Sequence, residues 1–180
     1  VEDALAVAEM VSASPQLALT GTAGYEGTIK ATEAATAEEL VDEFLDRIVE
    51  VTHVVSANGW FEPTPEVIVT AGGSTYFDHV VERFSEINLD EPTRVVIRSG
   101  CYITHDDGEY ERSSPLGATK RVIGDRFLPA IEVWGPVLSR PEPGRAIVGV
   151  GRRDVTSDGL LPLAKKVNRH DGKGAVPIDP

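Results

Sequence analysis

The hydrophobic positions of the chain follow a helical rhythm, then a strand-like one, then the helical one again. Leu5, Ala8 and Val11 share one side of residues 2–13, which predicts a helix stopped by Pro15. Residues 16–22 (QLALTGT) form a strand candidate, and a Gly- and Thr-rich loop runs on to Thr36. Thr36 and Glu39 have the T-x-x-E spacing of a capping box, in which each side chain satisfies a backbone N–H at the helix start. Beyond it Leu40, Phe44, Ile48 and Val51, flanked by Val41 and Leu45, recur with a period of about 3.6 residues.

Gly59, Pro63 and Pro65 break this pattern. Residues 67–69 (VIV) are consecutive and β-branched, which predicts a strand buried on both faces. GGST at 72–75 ends it, and Phe77, Val80, Val81 and Phe84 then fall at core spacing on a helix. After Pro92, residues 95–97 (VVI) repeat the buried-strand pattern. Such a β–α–β–α–β alternation predicts parallel strands joined by crossover helices. Three strands do not close a (β/α)8 barrel, which needs eight; they fit the last three strands of one, while a doubly wound sheet is the other home for the pattern.

After residue 100 the helical periodicity fades, and prolines and glycines recur every few positions. Residues 127–138 and 146–150 read as strands joined through the turn-forming PEPG at 141–144. The expected organisation is α/β: a partial barrel over residues 1–110, then part of a β-rich domain over 111–180. Its end, 169–180 (RHDGKGAVPIDP), is polar and Gly/Pro-rich and is expected to be mobile.

Charge narrows the function. The 180 residues hold 29 acids against 17 bases, a formal charge of −12. A phosphate backbone wants clustered Lys and Arg, so a nucleic-acid surface is not expected, and an anionic membrane surface would repel the chain. No apolar run reaches the roughly 18 residues a spanning helix needs. The first residues are acidic, unlike the basic start of a signal peptide. A single cysteine, Cys101, excludes an internal disulfide and a multi-cysteine zinc site, and fits a cytoplasmic location.

Candidate chemistry sits at the ends of consecutive strands. Ala71-Gly72-Gly73-Ser74-Thr75 leads from strand to helix: two glycines allow close backbone approach, two hydroxyls follow, and the helix start offers N–H groups to an anion. Arg98-Ser99-Gly100-Cys101-Tyr102 directly follows the next strand. Barrels often form phosphate sites from the loops after their last two strands, so one phosphate is expected to lie between these turns. The run His105-Asp106-Asp107 reads as structural, because adjacent extended side chains diverge. His53 reads as a surface residue late in a helix, His79 as lying opposite the apolar stripe, and His170 as part of the tail. Cys101 reads as a small packing residue whose N–H matters.

RSGCYITHDDGEY at 98–110, with VTAGGSTYFD at 69–78, AGYEG at 23–27 and GVGRRDVTSDGLLP at 149–162, resembles the D-threonine aldolase and D-serine dehydratase group within the alanine-racemase-like pyridoxal-phosphate enzymes. That wider class closes its last barrel strand with Arg-Pro-Gly; Ser99 replaces the proline here, which suits the aldolase group better than a racemase. The resemblance implies that Gly72, Gly73 and Ser74 hold the cofactor phosphate together with the Gly100 turn and the N–H groups of Cys101 and Tyr102. It implies that Tyr25 faces cofactor or substrate, and that Arg98 occupies the position that addresses the pyridine nitrogen in racemase relatives. The plainer readings are Tyr25 as a cap on the barrel and Arg98 as a structural ion-pair partner.

The activity so implied is retro-aldol cleavage of D-threonine-like 3-hydroxy amino acids, with D-serine dehydration or a non-catalytic binding role as alternatives. The resemblance also implies a divalent metal, Mn or Zn, on the β-hydroxyl, a small D-amino-acid substrate and a homodimer. The family's Schiff-base lysine lies in an early RPHxK-like motif that this chain lacks. None of Lys30, Lys120, Lys165, Lys166 and Lys173 ends an expected strand. The family's metal-binding histidine motif would begin just after Pro180. The expectation is therefore a piece of a longer enzyme, inactive alone and completed by the rest of its own polypeptide.

Overall fold

The computed structural model describes residues 1–32, 35–156, 161–169 and 174–178. Helix α1 spans Glu2–Ser12, strand β1 Gly21–Ala23, helix α2 Ala37–Ala57, strand β2 Val67–Ala71, helix α3 Phe77–Ser85 and strand β3 Thr93–Ile97. The three strands form one parallel sheet in the order β1-β2-β3, with Thr22 beside Val69 and Val69 beside Val95. The capping box forms as the sequence dictates: the Glu39 N–H donates to Thr36 Oγ1 at 3.2 Å, and the Thr36 N–H donates to Glu39 Oε2 at 2.8 Å.

One face of the sheet carries the core. Val67, Val69 and Ala71 cluster there with Val41, Leu45, Ile48 and Val55 of α2 and with Val80 and Phe84 of α3. Each such aliphatic side chain contributes roughly 1.5–3 kcal/mol when fully buried. A 2.6 Å hydrogen bond between the hydroxyls of Thr22 and Thr52 ties β1 to the same helix face. The buried line of α2, Val41–Leu45–Ile48–Thr52–Val55, runs one position beyond the expected stripe, and Leu40, Phe44 and Val51 are half-buried.

The expected burial of β2 and β3 on both faces is not present. Ile68 and Ile97 are each 40% exposed. Neighbouring strands added in one direction place both crossover helices on one side. The face bearing Ile68, Thr70, Arg94 and Val96 receives neither crossover helix: Ile68 and Arg94 are exposed, Thr70 and Val96 are half-buried, and Arg94 Nε pairs with Glu66 at 2.6 Å. On α3, Val80 and Phe84 are buried as expected, but Val81 is 46% exposed.

The strand expected over 16–22 starts only at Gly21. Before it, Leu19 and Thr20 use their carbonyls to accept the Glu62 and Ile68 N–H groups. The strand expected over 127–138 is confined to β4, Val137–Glu142. Pro129 and Pro136 cannot donate to a ladder, and residues 127–130 bond instead to Leu116 O and Thr104 O. β4 pairs with β5, Arg145–Val148, around Gly144, whose φ of 78° suits the tight turn. β6, Lys166–Asn168, pairs antiparallel with β7, Ala175–Pro177. Residues 170–173, which include His170 and Lys173, lie outside the described residues, as do 157–160 within one of the motifs above. A short helix, α4, Glu109–Ser113, occupies the position of the expected domain boundary. Beyond it Arg121 returns to α3, donating to Asp78 Oδ2 at 2.9 Å and to Thr75 O. Among the described residues no helix is long and apolar enough to cross a membrane.

Candidate functional site

Parallel strands deliver their C-terminal ends to one edge of a sheet, and the loops after β1, β2 and β3 meet there. The turn after β2 begins at Gly72, whose φ of 102° lies in the left-handed region. A Cβ on Gly72 would come within 2.6 Å of Ile97 Cγ2, and one on Gly73 within 3.3 Å of Tyr25 Cε2. Glycine is therefore favoured at position 72 by its backbone angle and its close approach to Ile97, while position 73 is tightly but not prohibitively packed against Tyr25 and Glu26.

The two glycine turns are in contact. The Cys101 N–H donates to Ser74 Oγ at 3.0 Å. Ser99 Oγ lies 3.1 Å from Gly72 O and 3.2 Å from Gly73 O, so its single proton is shared between two carbonyls of the preceding turn. Gly100 opens a 3-10 turn, Gly100–Tyr102, with free space where its Cβ would be.

Tyr25 is 57% exposed beside Gly73. Arg98 lies across the strand ends: its Nε donates to Thr70 Oγ1 at 2.9 Å and its guanidinium also donates to Gly24 O. It makes no ion pair among the described residues, so the plain reading of Arg98 as an ion-pair partner is not what the structure shows. Tyr102 is 53% exposed and stacks edge-on with Phe127 at 4.6 Å between centroids.

The expected amide donors are nonetheless engaged within the protein. The Gly72 N–H donates to Glu26 Oε2 at 3.1 Å, and the Gly73 N–H donates to Glu26 Oε1. Cys101 is bound to Ser74 as described, and the Tyr102 N–H donates to Ser99 O at 3.1 Å. The N–H groups of Ser74, Thr75 and Gly100 have no partner among the described residues. Ser74 Oγ, having accepted one hydrogen bond, keeps its own proton to give. A phosphate is thus offered Ser74, Thr75 and Gly100, rather than the Gly72, Gly73, Cys101 and Tyr102 amides.

Sequence reasoning missed three residues. Glu26 is fully buried between Tyr25 and Gly27, and its only signal was a lone acid in a Gly-rich loop. Ser99 was noted only as the residue replacing a proline. Tyr110 has its phenol next to Cys101: that thiol, aided by burial, pushes the Tyr110 hydroxyl up to about 12.

The His105-Asp106-Asp107 run diverges as expected. His105, buried with φ of 48°, bonds Glu111 Oε2 through Nε2 at 3.1 Å. Asp106 Oδ1 accepts the Gly108 and Tyr110 N–H groups, and Asp107 pairs with Lys165 at 3.1 Å. His53 is exposed. His79 does not lie away from the core: its Nδ1 bonds Asp42 Oδ1 of α2 at 2.8 Å, at the junction of α2 and α3. Among the described residues no group of three or more His, Cys, Asp or Glu could hold a metal ion. Lys30 is exposed in the loop after β1, Lys120 donates to Gly124 O, and Lys166 pairs with Glu132. Compared with known proteins, the chain matches no family model and no curated protein.

Proposed function

We propose that the chain carries the phosphate-holding part of a pyridoxal-phosphate-dependent D-amino-acid lyase, acting on D-threonine-like 3-hydroxy amino acids, with β1, β2 and β3 as three consecutive strands of a (β/α)8 barrel. The observation that carries the reading is the Cys101–Ser74 hydrogen bond, which joins two glycine turns at the ends of adjacent parallel strands. Parallel barrels place their chemistry at that edge. A doubly wound sheet is less well supported, because residues 100–150 hold one five-residue helix and a hairpin instead of further strand–helix alternation.

The residues present fit the cofactor in part. The amides of Ser74, Thr75 and Gly100 and the Ser74 hydroxyl offer donors for its phosphate, Tyr25 and Arg98 flank the same edge, and no lysine lies at the C-terminal end of β1, β2 or β3. When bound, pyridoxal phosphate supplies an electron sink for charge developing at the substrate carbon. What this chain contributes is position: Ser99 and Glu26 hold Gly72 and Gly73 from opposite sides, so the donors are fixed before a ligand arrives. The Schiff-base lysine belongs, in this reading, to another barrel strand, and any divalent metal ligands to the family's C-terminal histidine motif. D-serine dehydration uses the same cup and is the alternative chemistry.

The test is equilibrium dialysis of the chain with pyridoxal phosphate and with pyridoxal. Binding of the phosphate form at least about tenfold tighter, the worth of one charge-assisted contact, supports the reading. Equal binding of the two sinks it.

A further inference from the structure

Glu26 is a charged side chain with no exposed surface and no ion pair among the described residues. Burying a carboxylate is costly unless hydrogen bonds replace its lost water. Here both oxygens are used: Oε2 accepts the Gly72 N–H at 3.1 Å and Oε1 accepts the Gly73 N–H. Two successive backbone N–H groups converging from a glycine turn make an anion-binding concavity. On the far side Ser99 Oγ donates to Gly72 O, which shares a peptide plane with the Gly73 N–H, and the Arg98 N–H donates at 3.0 Å to Ala71 O, which shares a plane with the Gly72 N–H, so both planes are held with their N–H groups toward Glu26. The site that the sequence assigns to a phosphate already contains an anion, and that anion belongs to the chain.

We propose that Glu26 is a resident anion: its carboxylate fills the Gly72–Gly73 amide pair and confines an incoming phosphoryl group to the adjoining donors of Ser74, Thr75 and Gly100. The second half of this statement rests on the cofactor reading above; the first half does not. The arrangement also selects by charge. A phosphate beside Glu26 meets a fixed negative charge on one flank, so the amide pair opens to outside oxyanions only when the carboxylate is removed.

The experiment is a titration of the chain with inorganic phosphate, followed by amide-resolved NMR, in wild type and Glu26→Ala. In wild type the Ser74, Thr75 and Gly100 amides shift and those of Gly72 and Gly73 do not. In Glu26→Ala the Gly72 and Gly73 amides respond too, and phosphate binds about tenfold tighter. Movement of the Gly72 and Gly73 amides in wild type overturns the proposal, as does a folded Glu26→Ala chain in which they stay still. If Glu26→Ala unfolds, formate is the second probe. A melt restored by formate supports the anion socket, and no restoration overturns it. A wild-type chain silent at Ser74, Thr75 and Gly100, with Gly72 and Gly73 responding in the variant, sinks the cofactor reading and leaves the resident anion standing.

Discussion

Ser74 and Cys101 lie on different turns, 27 residues apart in sequence, yet the amide of one is bound to the hydroxyl of the other at 3.0 Å. That bond, with the Ser99 hydroxyl reaching back to Gly72 and Gly73, makes the ends of β2 and β3 one unit.

Ser74→Ala leaves the Cys101 N–H in a half-buried place without its acceptor. The expected loss is about 1–2 kcal/mol, since an orphaned donor keeps its desolvation cost. Urea unfolding measures it, and Ser74→Thr, which retains the hydroxyl, recovers most of the loss. A change below about 0.5 kcal/mol would show that the two turns do not depend on this bond.

Gly72 and Gly100 respond differently to alanine. At Gly72 the new methyl meets Ile97 and the φ of 102° becomes strained. A destabilisation of about 1–3 kcal/mol is expected. Gly100 has open space around its Cα, so Gly100→Ala stays within about 0.5 kcal/mol. Equal effects at the two positions would contradict the description of the turns.

The contrast between what the sequence announced and what it concealed is physical. α2 was legible because its capping box and apolar period are local, and the parallel direction of β1, β2 and β3 followed from alternation, whereas their order did not. Strand burial was not, because the exposure of Ile68 depends on which side both crossover helices choose. The tract 127–136 has strand-like composition, yet Pro129 and Pro136 deny it a ladder. At the site, the glycine turns were visible as motifs. Glu26 was not, since a buried carboxylate and a surface one look alike in a loop and only the fold brings it to Gly72 and Gly73.

Acid titration should expose the α2–α3 junction. Burial pushes the Asp42 carboxyl up, but hydrogen bonds and charge from His79 and Arg83 outweigh it and hold the group below its usual range. A carboxylate depressed in the folded state stabilises above its unfolded value of about 3.9, and that contribution is lost as pH falls through the lower folded value. Wild type should therefore exceed Asp42→Asn in urea midpoint above about pH 5, with the gap closing below about pH 4. A gap that is constant with pH contradicts the pairing.

Alkaline titration reports on Tyr110. With its phenol raised to about 12 by the neighbouring thiol and by burial, the folded state favours the neutral ring. The associated stability is complete below the ordinary tyrosine value of about 10 and declines as pH rises through the folded value. In a tyrosinate absorbance titration, the difference between wild type and Tyr110→Phe should show a midpoint near 12, and Cys101→Ala should lower it. A Tyr110 midpoint near that of an ordinary tyrosine would contradict the contact with Cys101.

The proposed cofactor phosphate would be held where the β2 and β3 turns meet, and an amide map of the chain with pyridoxal phosphate addresses that most directly. The account predicts saturable shifts at Ser74, Thr75 and Gly100 that pyridoxal, lacking the phosphate, fails to produce and that Ser74→Ala weakens about tenfold. Shifts scattered around exposed lysines such as Lys30, alike for the two aldehydes and indifferent to Ser74, would contradict it.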